Sequence, residues 1–237
     1  MEYYYTPQEN IFSDKLEITG DEAKHLSKVL RKSVGEEIYV TDGKYNLFKT
    51  RIDSVSVKNI VCNIIEKIEG SEPGIKIYLY QSLLRNTSRF EFAIEKCTEI
   101  GVFEITPVVS EHVINKTASR TERWQSIALS AMKQSQRTYL PAVNNSVLFN
   151  QAVNDDILGN TLKLIAHEQQ TKNSIYIKDI GNLNKYDSIR IFIGPEGGFS
   201  RYEVDLAVEK GFKVLNIGNR KYRSETAAVL VCGYLLL

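Results

Sequence analysis

Between Arg190 and Glu203 the chain reads RIFIGPEGGFSRYE, and this one stretch limits the fold more than any other. Ile191, Phe192 and Ile193 form a short apolar run closed by a breaker, the pattern of a buried strand. Ser200 followed three residues later by Glu203 is a capping-box signature, so a helix is expected to begin there. The five residues between them, Gly194 to Gly198, hold three glycines and a proline. A strand-loop-helix unit of this kind belongs to an open α/β sheet, where ligands bind beyond the carboxyl ends of the strands. Glycine lets the backbone approach a ligand closely, and a helix start offers oriented N–H groups. The loop has two readings, a plain turn or a binding site. The spacing fits neither a phosphate-binding P-loop nor the dinucleotide fingerprint.

Two rhythms divide the chain. From Glu36 to Ile68, short β-rich runs alternate with turn residues, which predicts a small barrel or sandwich. A helix is expected before it, with Ala23, Leu26, Val29 and Leu30 on one stripe and Gly35 as its stop. Glu69 to Gly74, polar with Pro and Gly, reads as a hinge. Beyond it strands and helices alternate, which predicts a mostly parallel sheet. The segment 89–101 is expected to be a helix closed by Gly101, and 119–137 a long helix ending before Pro141.

Composition mainly excludes. A net charge of +1 gives no global attraction for nucleic acid, so any RNA site must be a local patch. Three scattered cysteines suggest a reducing compartment rather than a disulfide framework. His25, His112 and His167 share no ligand spacing, so no metal is expected. The first ten residues lack the basic and apolar regions of a signal peptide, and the apolar C-terminal run is too short to span a bilayer. A cytoplasmic location without membrane contact follows as the expectation.

Two further irregular loops should reach the same sheet edge as Gly194–Gly198. IAHEQQ follows the strand ending near Ile165, and IGNRKYRSETAA follows the strand ending near Ile217. Arg220, Lys221 and Arg223 make the last loop basic, either as a solvated surface or as part of a site. Lys28, Arg31 and Lys32 present the same choice between a solvated helix face and contact with a phosphate backbone. Arg85 and Arg89 at one helix start, and Lys133 with Arg137 at an i, i+4 spacing on another, fit a local RNA-contacting surface. Tyr3 to Tyr5 could stack on bases or pack on the barrel, and packing is the reading taken.

Taken in order, these segments resemble the RsmE family of the SPOUT superfamily, bacterial methyltransferases that form N3-methyluridine in 16S rRNA. The resemblance covers the whole chain through AKHLSKVLRKSVGEEIYVTDG, FEFAIEKCTEIGVFEITPVVSE, RWQSIALSAMKQSQR, IGPEGGFS and IGNRKYRSETAA. Departures from the family pattern are Ile100 for Leu, Lys221-Tyr222 for Ile-Leu, and Met132, Lys133 and Gln136 in the long helix. The resemblance implies a PUA-like β-barrel RNA-binding domain over 1–70. Over 71–237 it implies a SPOUT-type α/β sheet with a C-terminal trefoil knot. It further implies homodimers acting on 16S rRNA or the assembled small subunit.

S-adenosyl-L-methionine (SAM) is the cofactor implied, held by the three loops. Its expected contacts are Ile165, Ala166, His167 and Glu168, then Ile193, Gly194, Pro195, Gly197 and Gly198, then Ile217, Gly218, Tyr222 and Thr226. Uridine N3 is a poor nucleophile until its imide proton leaves, so a cation or a base is needed. Arg223 is assigned to charge stabilisation, with Arg220 competing. Glu196 either accepts the proton or orders its loop, and Glu225 is the second carboxylate. Arg31, Arg85, Arg89, Arg137 and Arg220 are the expected RNA contacts.

Overall fold

The computed structural model describes residues 2–114, 120–155, 157, 159–168 and 174–236. Ser119, and Gln169 and Gln170 of the loop after Ile165, lie outside the described residues. The chain forms two units, residues 1–72 with 129–140 and residues 73–128 with 141–237.

In the first unit, β1 (Tyr3–Tyr5), β2 (Lys15–Thr19), β3 (Glu37–Thr41), β4 (Asn46–Val55) and β5 (Asn59–Glu69) form one curled sheet. The strand order is β1-β3-β4-β5-β2. Two register shifts in the β4–β5 ladder bend these long strands, as bulges do. Thr6 Oγ1 donates to the Glu17 carbonyl, tying the end of β1 to β2. Tyr3 to Tyr5 are sheet residues paired with Tyr39 to Thr41, in keeping with packing. Leu16, Ile18, Ile38, Val40, Ile52 and Ile60 fill the core.

The expected helical stripe in this unit is cut short. α1 (Gly20–Lys24) passes into a π-helical turn, His25–Val29. Ala23 and Leu26 are buried, whereas Val29 and Leu30 are exposed. The wider turn rotates the stripe off the core, and Ser27 Oγ donates back to the Ala23 carbonyl. Glu72, in the segment read as a hinge, is tied to the 129–140 segment of its own unit. Glu72 accepts from Arg137 Nε (3.0 Å) and from the backbone N–H groups of Thr138 (2.7 Å) and Tyr139 (3.0 Å).

The second unit contains β6 (Lys76–Ser82), α2 (Thr87–Ile100), β7 (Glu104–Val109), and the start of α3 (Thr121–Gln134). β8 (Ala142–Val143), β9 (Val147–Leu148), α4 (Phe149–Asn154), β10 (Thr161–Ala166) and β11 (Ser174–Tyr176) follow. β12 (Ser188–Ile193), α5 (Arg201–Glu209), β13 (Lys213–Asn216) and α6 (Ser224–Leu236) complete it. The sheet order is β11-β13-β10-β12-β6-β7-β8, with β9 on β7, and every pairing is parallel. β12 lies centrally and is buried along its whole length, as its apolar run predicts.

Arg190 on β12 is fully buried. Its guanidinium lies over Tyr80 (4.8 Å) and Phe212 (5.3 Å) and donates to the Ala152 and Asp155 carbonyls at the end of α4. The cation thus closes a helix C-terminus, where the dipole favours positive charge.

Candidate active site

Because the strands are parallel, the loops leaving β10, β12 and β13 emerge at one edge of the sheet. They line a single cavity of ≈ 370 Å³, within the range of about 300–1,000 Å³ usual for small-molecule sites. Ala166, His167 and Glu168 come from the first loop. Ile193, Gly194, Pro195, Glu196 and Gly198 come from the second, and Ile217, Gly218, Arg220, Tyr222 and Arg223 from the third. Of the expected cofactor residues, Ile165, Gly197 and Thr226 do not line it. Ile165 is fully buried, its side chain turned into the core by strand alternation. Gly197 faces a neighbouring cavity, and Thr226 is exposed in the first turn of α6, whereas the buried Ala227 beside it does line the cavity.

The glycine loop is braced from several directions. A Cβ on Gly194 would lie 3.2 Å from the Phe199 nitrogen and 3.3 Å from the Gly198 backbone, so the turn closes on itself. Ser224 Oγ donates to the Gly194 carbonyl and accepts from Gln81 Nε2 (2.9 Å). Glu196 accepts from the Arg85 backbone N–H (3.2 Å). His112 Nδ1 lies 3.2 Å from the Gly197 carbonyl and 3.1 Å from that of Gly198. Carbonyls only accept, so Nδ1 carries the proton. Asn216 joins the outer two loops, accepting from Gly218 N (2.8 Å) and donating to the Glu168 carbonyl (3.4 Å).

Gln81, His112, Asn216, Ser224 and Ala227 are not among the site residues expected from the sequence, where His112 is weighed only as a metal ligand. Gln81 carried a recoverable signal, a polar residue near the carboxyl end of an apolar strand. His112 carried none, because its partners are carbonyls far along the chain.

The electrostatics are uneven. Lys221 pairs with Glu168 at 3.1 Å, but both are exposed, so the pair contributes little. Among the described residues, no carboxylate lies within ion-pair distance of Arg220 or Arg223, leaving two guanidinium groups at the rim. Burial holds the His167 imidazole below its ordinary pKa, with Glu168 opposing, so it is neutral at pH 7.

The other arginines diverge. Arg31 is exposed in the first unit, and Arg85 is exposed just before α2. Arg89 pairs with the buried Glu225 at 3.7 Å. Arg137 corrects the sequence expectation: it is buried and paired with Glu72, which removes it from the RNA-contacting set. Nor does it share a helical face with Lys133, since α3 ends at Gln134 and Gln136 turns left-handed. Lys133 itself pairs with Glu22 at 2.6 Å.

An RNA methyltransferase domain matches residues 71–236, and an RNA methyltransferase PUA domain matches residues 18–65. Ribosomal RNA small subunit methyltransferase E of Mesomycoplasma hyopneumoniae is 41% identical, over 71% of this chain and 73% of that protein. The protein of the same name from Aquifex aeolicus is 30% identical over 91% of each chain. The chain belongs to the ribosomal RNA small subunit methyltransferase E family. A family member from Neisseria gonorrhoeae, solved bound to S-adenosyl methionine, superposes with a TM-score of 0.87 at 29% identity, covering 98% of this chain and 95% of that one. In the present family member the departures Lys221 and Tyr222 both stand on the cavity wall.

Proposed function

We propose that this SAM-dependent RNA methyltransferase transfers a methyl group to N3 of a uridine in 16S rRNA of the small ribosomal subunit. The carrying observation is the cavity built from three loop segments at one sheet edge, rimmed by two arginines that have no ion-pair partner among the described residues, in a chain of this family. The lining fits the cofactor. Ile193, Pro195, Ile217 and Ala227 offer apolar contact for an adenine ring. When bound, SAM supplies the methyl group on an electrophilic sulfonium.

The chain's own residues then position and polarise. Arg223 stabilises negative charge developing on the uracil oxygens as the N3 proton leaves, and Arg220 stands beside it as the alternative. Glu196, held by the Arg85 N–H, orders the glycine loop and presents a carboxylate at the cavity wall that can accept the imide proton. Glu225 is tied to Arg89 near the start of α6, which suits a structural role. The PUA-like unit, with Arg31 exposed, supplies further grip on RNA.

The reading extends to a trefoil knot around the cofactor, supported by the position of β13 between β10 and β11. It extends also to a cytoplasmic homodimer. Exposed Phe92 on α2, and Leu230 and Tyr234 on α6, give apolar surface for such contact.

The test is methyl transfer from labelled SAM to unmodified 16S rRNA and to assembled small subunits, followed by nucleoside analysis. Label in N3-methyluridine is the expected result. Label in another nucleoside, or in none while SAM still binds, overturns the substrate assignment.

A further inference from the structure

A second cavity of ≈ 830 Å³ adjoins the first, and Glu196 belongs to the walls of both. Its other walls are the start of α2, with Arg85, Asn86 and Arg89, and the segment carrying His112 and Ile114. We propose that this cavity receives the methyl-acceptor nucleotide of the RNA, its phosphate against Arg85 and the first turn of α2, its base against Glu196. The proposal rests on the function given above, because the donor is placed in the first cavity.

The chemistry of the walls sets this orientation. Among the described residues, no carboxylate lies within ion-pair distance of the Arg85 guanidinium. Arg89 is half engaged by the buried Glu225 at 3.7 Å. Arg85 is therefore the principal free cation, and a guanidinium fork suits a phosphodiester. The first turn of α2, its Ser88 N–H capped by Asn86 Oδ1, adds the positive end of a fourteen-residue helix. The Glu196 carboxylate is held at the Arg85 backbone N–H, beyond ion-pair distance of the Arg85 guanidinium. It would repel a phosphate but accept a hydrogen bond from an imide N–H, so charge places the phosphate at the guanidinium and the base at the carboxylate shared with the donor cavity. Methyl transfer needs donor and acceptor atoms to approach to about 3–3.5 Å, which requires adjoining pockets. His112, anchored to the Gly197 and Gly198 carbonyls, holds the glycine loop as the partition between them.

Arg85 is the cleaner probe, since removing Arg89 strips a buried carboxylate of its partner. Arg85→Gln and Arg85→Lys leave the backbone N–H to Glu196 intact. With the full chain, four quantities would be measured: SAM affinity, kcat and KM on unmodified small subunits or rRNA, and the salt dependence of direct RNA binding. Arg85→Gln is expected to raise KM about tenfold, with kcat within about threefold and SAM affinity unchanged. The slope of log K against log salt should become shallower by about 0.7–0.9, the loss of one phosphate contact. Arg85→Lys should restore the slope. An unchanged slope and KM in Arg85→Gln, with an active wild type, would overturn the cavity assignment and leave the function standing. A wild type that methylates no RNA, yet loses the salt slope on Arg85→Gln, would keep the phosphate contact but overturn the acceptor-nucleotide proposal together with the function.

Discussion

Gly194 shows how far a single missing side chain shapes this site. Its Cβ position is crowded by the backbone of Gly198 and Phe199, so Gly194→Ala must displace the loop. Calorimetric titration should show SAM affinity reduced by about tenfold, on the order of 1.4 kcal/mol. Arg223→Ala should instead keep SAM affinity while kcat falls about 10²-fold, the usual loss when a charge-stabilising donor is removed. Turnover near wild type would dismiss its assignment. His167 predicts a pH dependence. Its folded pKa lies below the ordinary value near 6.5, so the unfolded chain binds more protons in that window. Stability should therefore fall as pH drops below about 6.5, and His167→Gln should flatten that slope in denaturant titrations. The glycines and the basic loop were legible in the sequence because backbone freedom and charge are local properties. Gln81, His112 and Arg137 were not, because their roles depend on partners 143, 85–86 and 65 residues away.

At the scale of the element, the clearest sequence signals were end signals. Ser200 and Glu203 form the expected capping box, and Glu203 also accepts from the Glu111 N–H at 2.8 Å. Ser200→Ala should cost about 1 kcal/mol in chemical unfolding, the usual value of an N-cap. Glu203→Ala should cost about 1–3 kcal/mol, since it leaves the Glu111 N–H without its partner. Gly101 ends α2 in a left-handed conformation, as expected. The end of α3 uses the same device without glycine. Arg137 N donates to Met132 O and Gln136 N to Lys133 O, with Gln136 at a positive φ of 60°. A glutamine there gives no stop signal, so the helix reads as three residues too long. The π-helical turn at His25–Val29 was equally hidden, because the apolar spacing of an ordinary helix continues through it.

For the whole molecule, the alternation of apolar runs was enough to predict a parallel sheet, since strand order need not be known for that. The order itself was not legible: the last strand, β13, enters between β10 and β11. A chain of net charge +1 has no long-range attraction for RNA to spread over its surface. RNA affinity resting on local arginine contacts should fall with salt in proportion to their number while SAM affinity stays nearly constant, a contrast that parallel titrations would check. SAM at a hundred times its Kd should stabilise the protein by about 2.7 kcal/mol, and the absence of any thermal shift would mean that the folded chain does not bind it. The position of β13 also has a meaning in time. Two neighbours that leave the ribosome first must wait, one strand-width apart, for a partner made later. The loops from β13 and the start of α6 then complete the cavity wall. A growing chain therefore makes residues 1–72 of its first unit well before the third loop, and the cavity wall closes only once β13 and the start of α6 have been made.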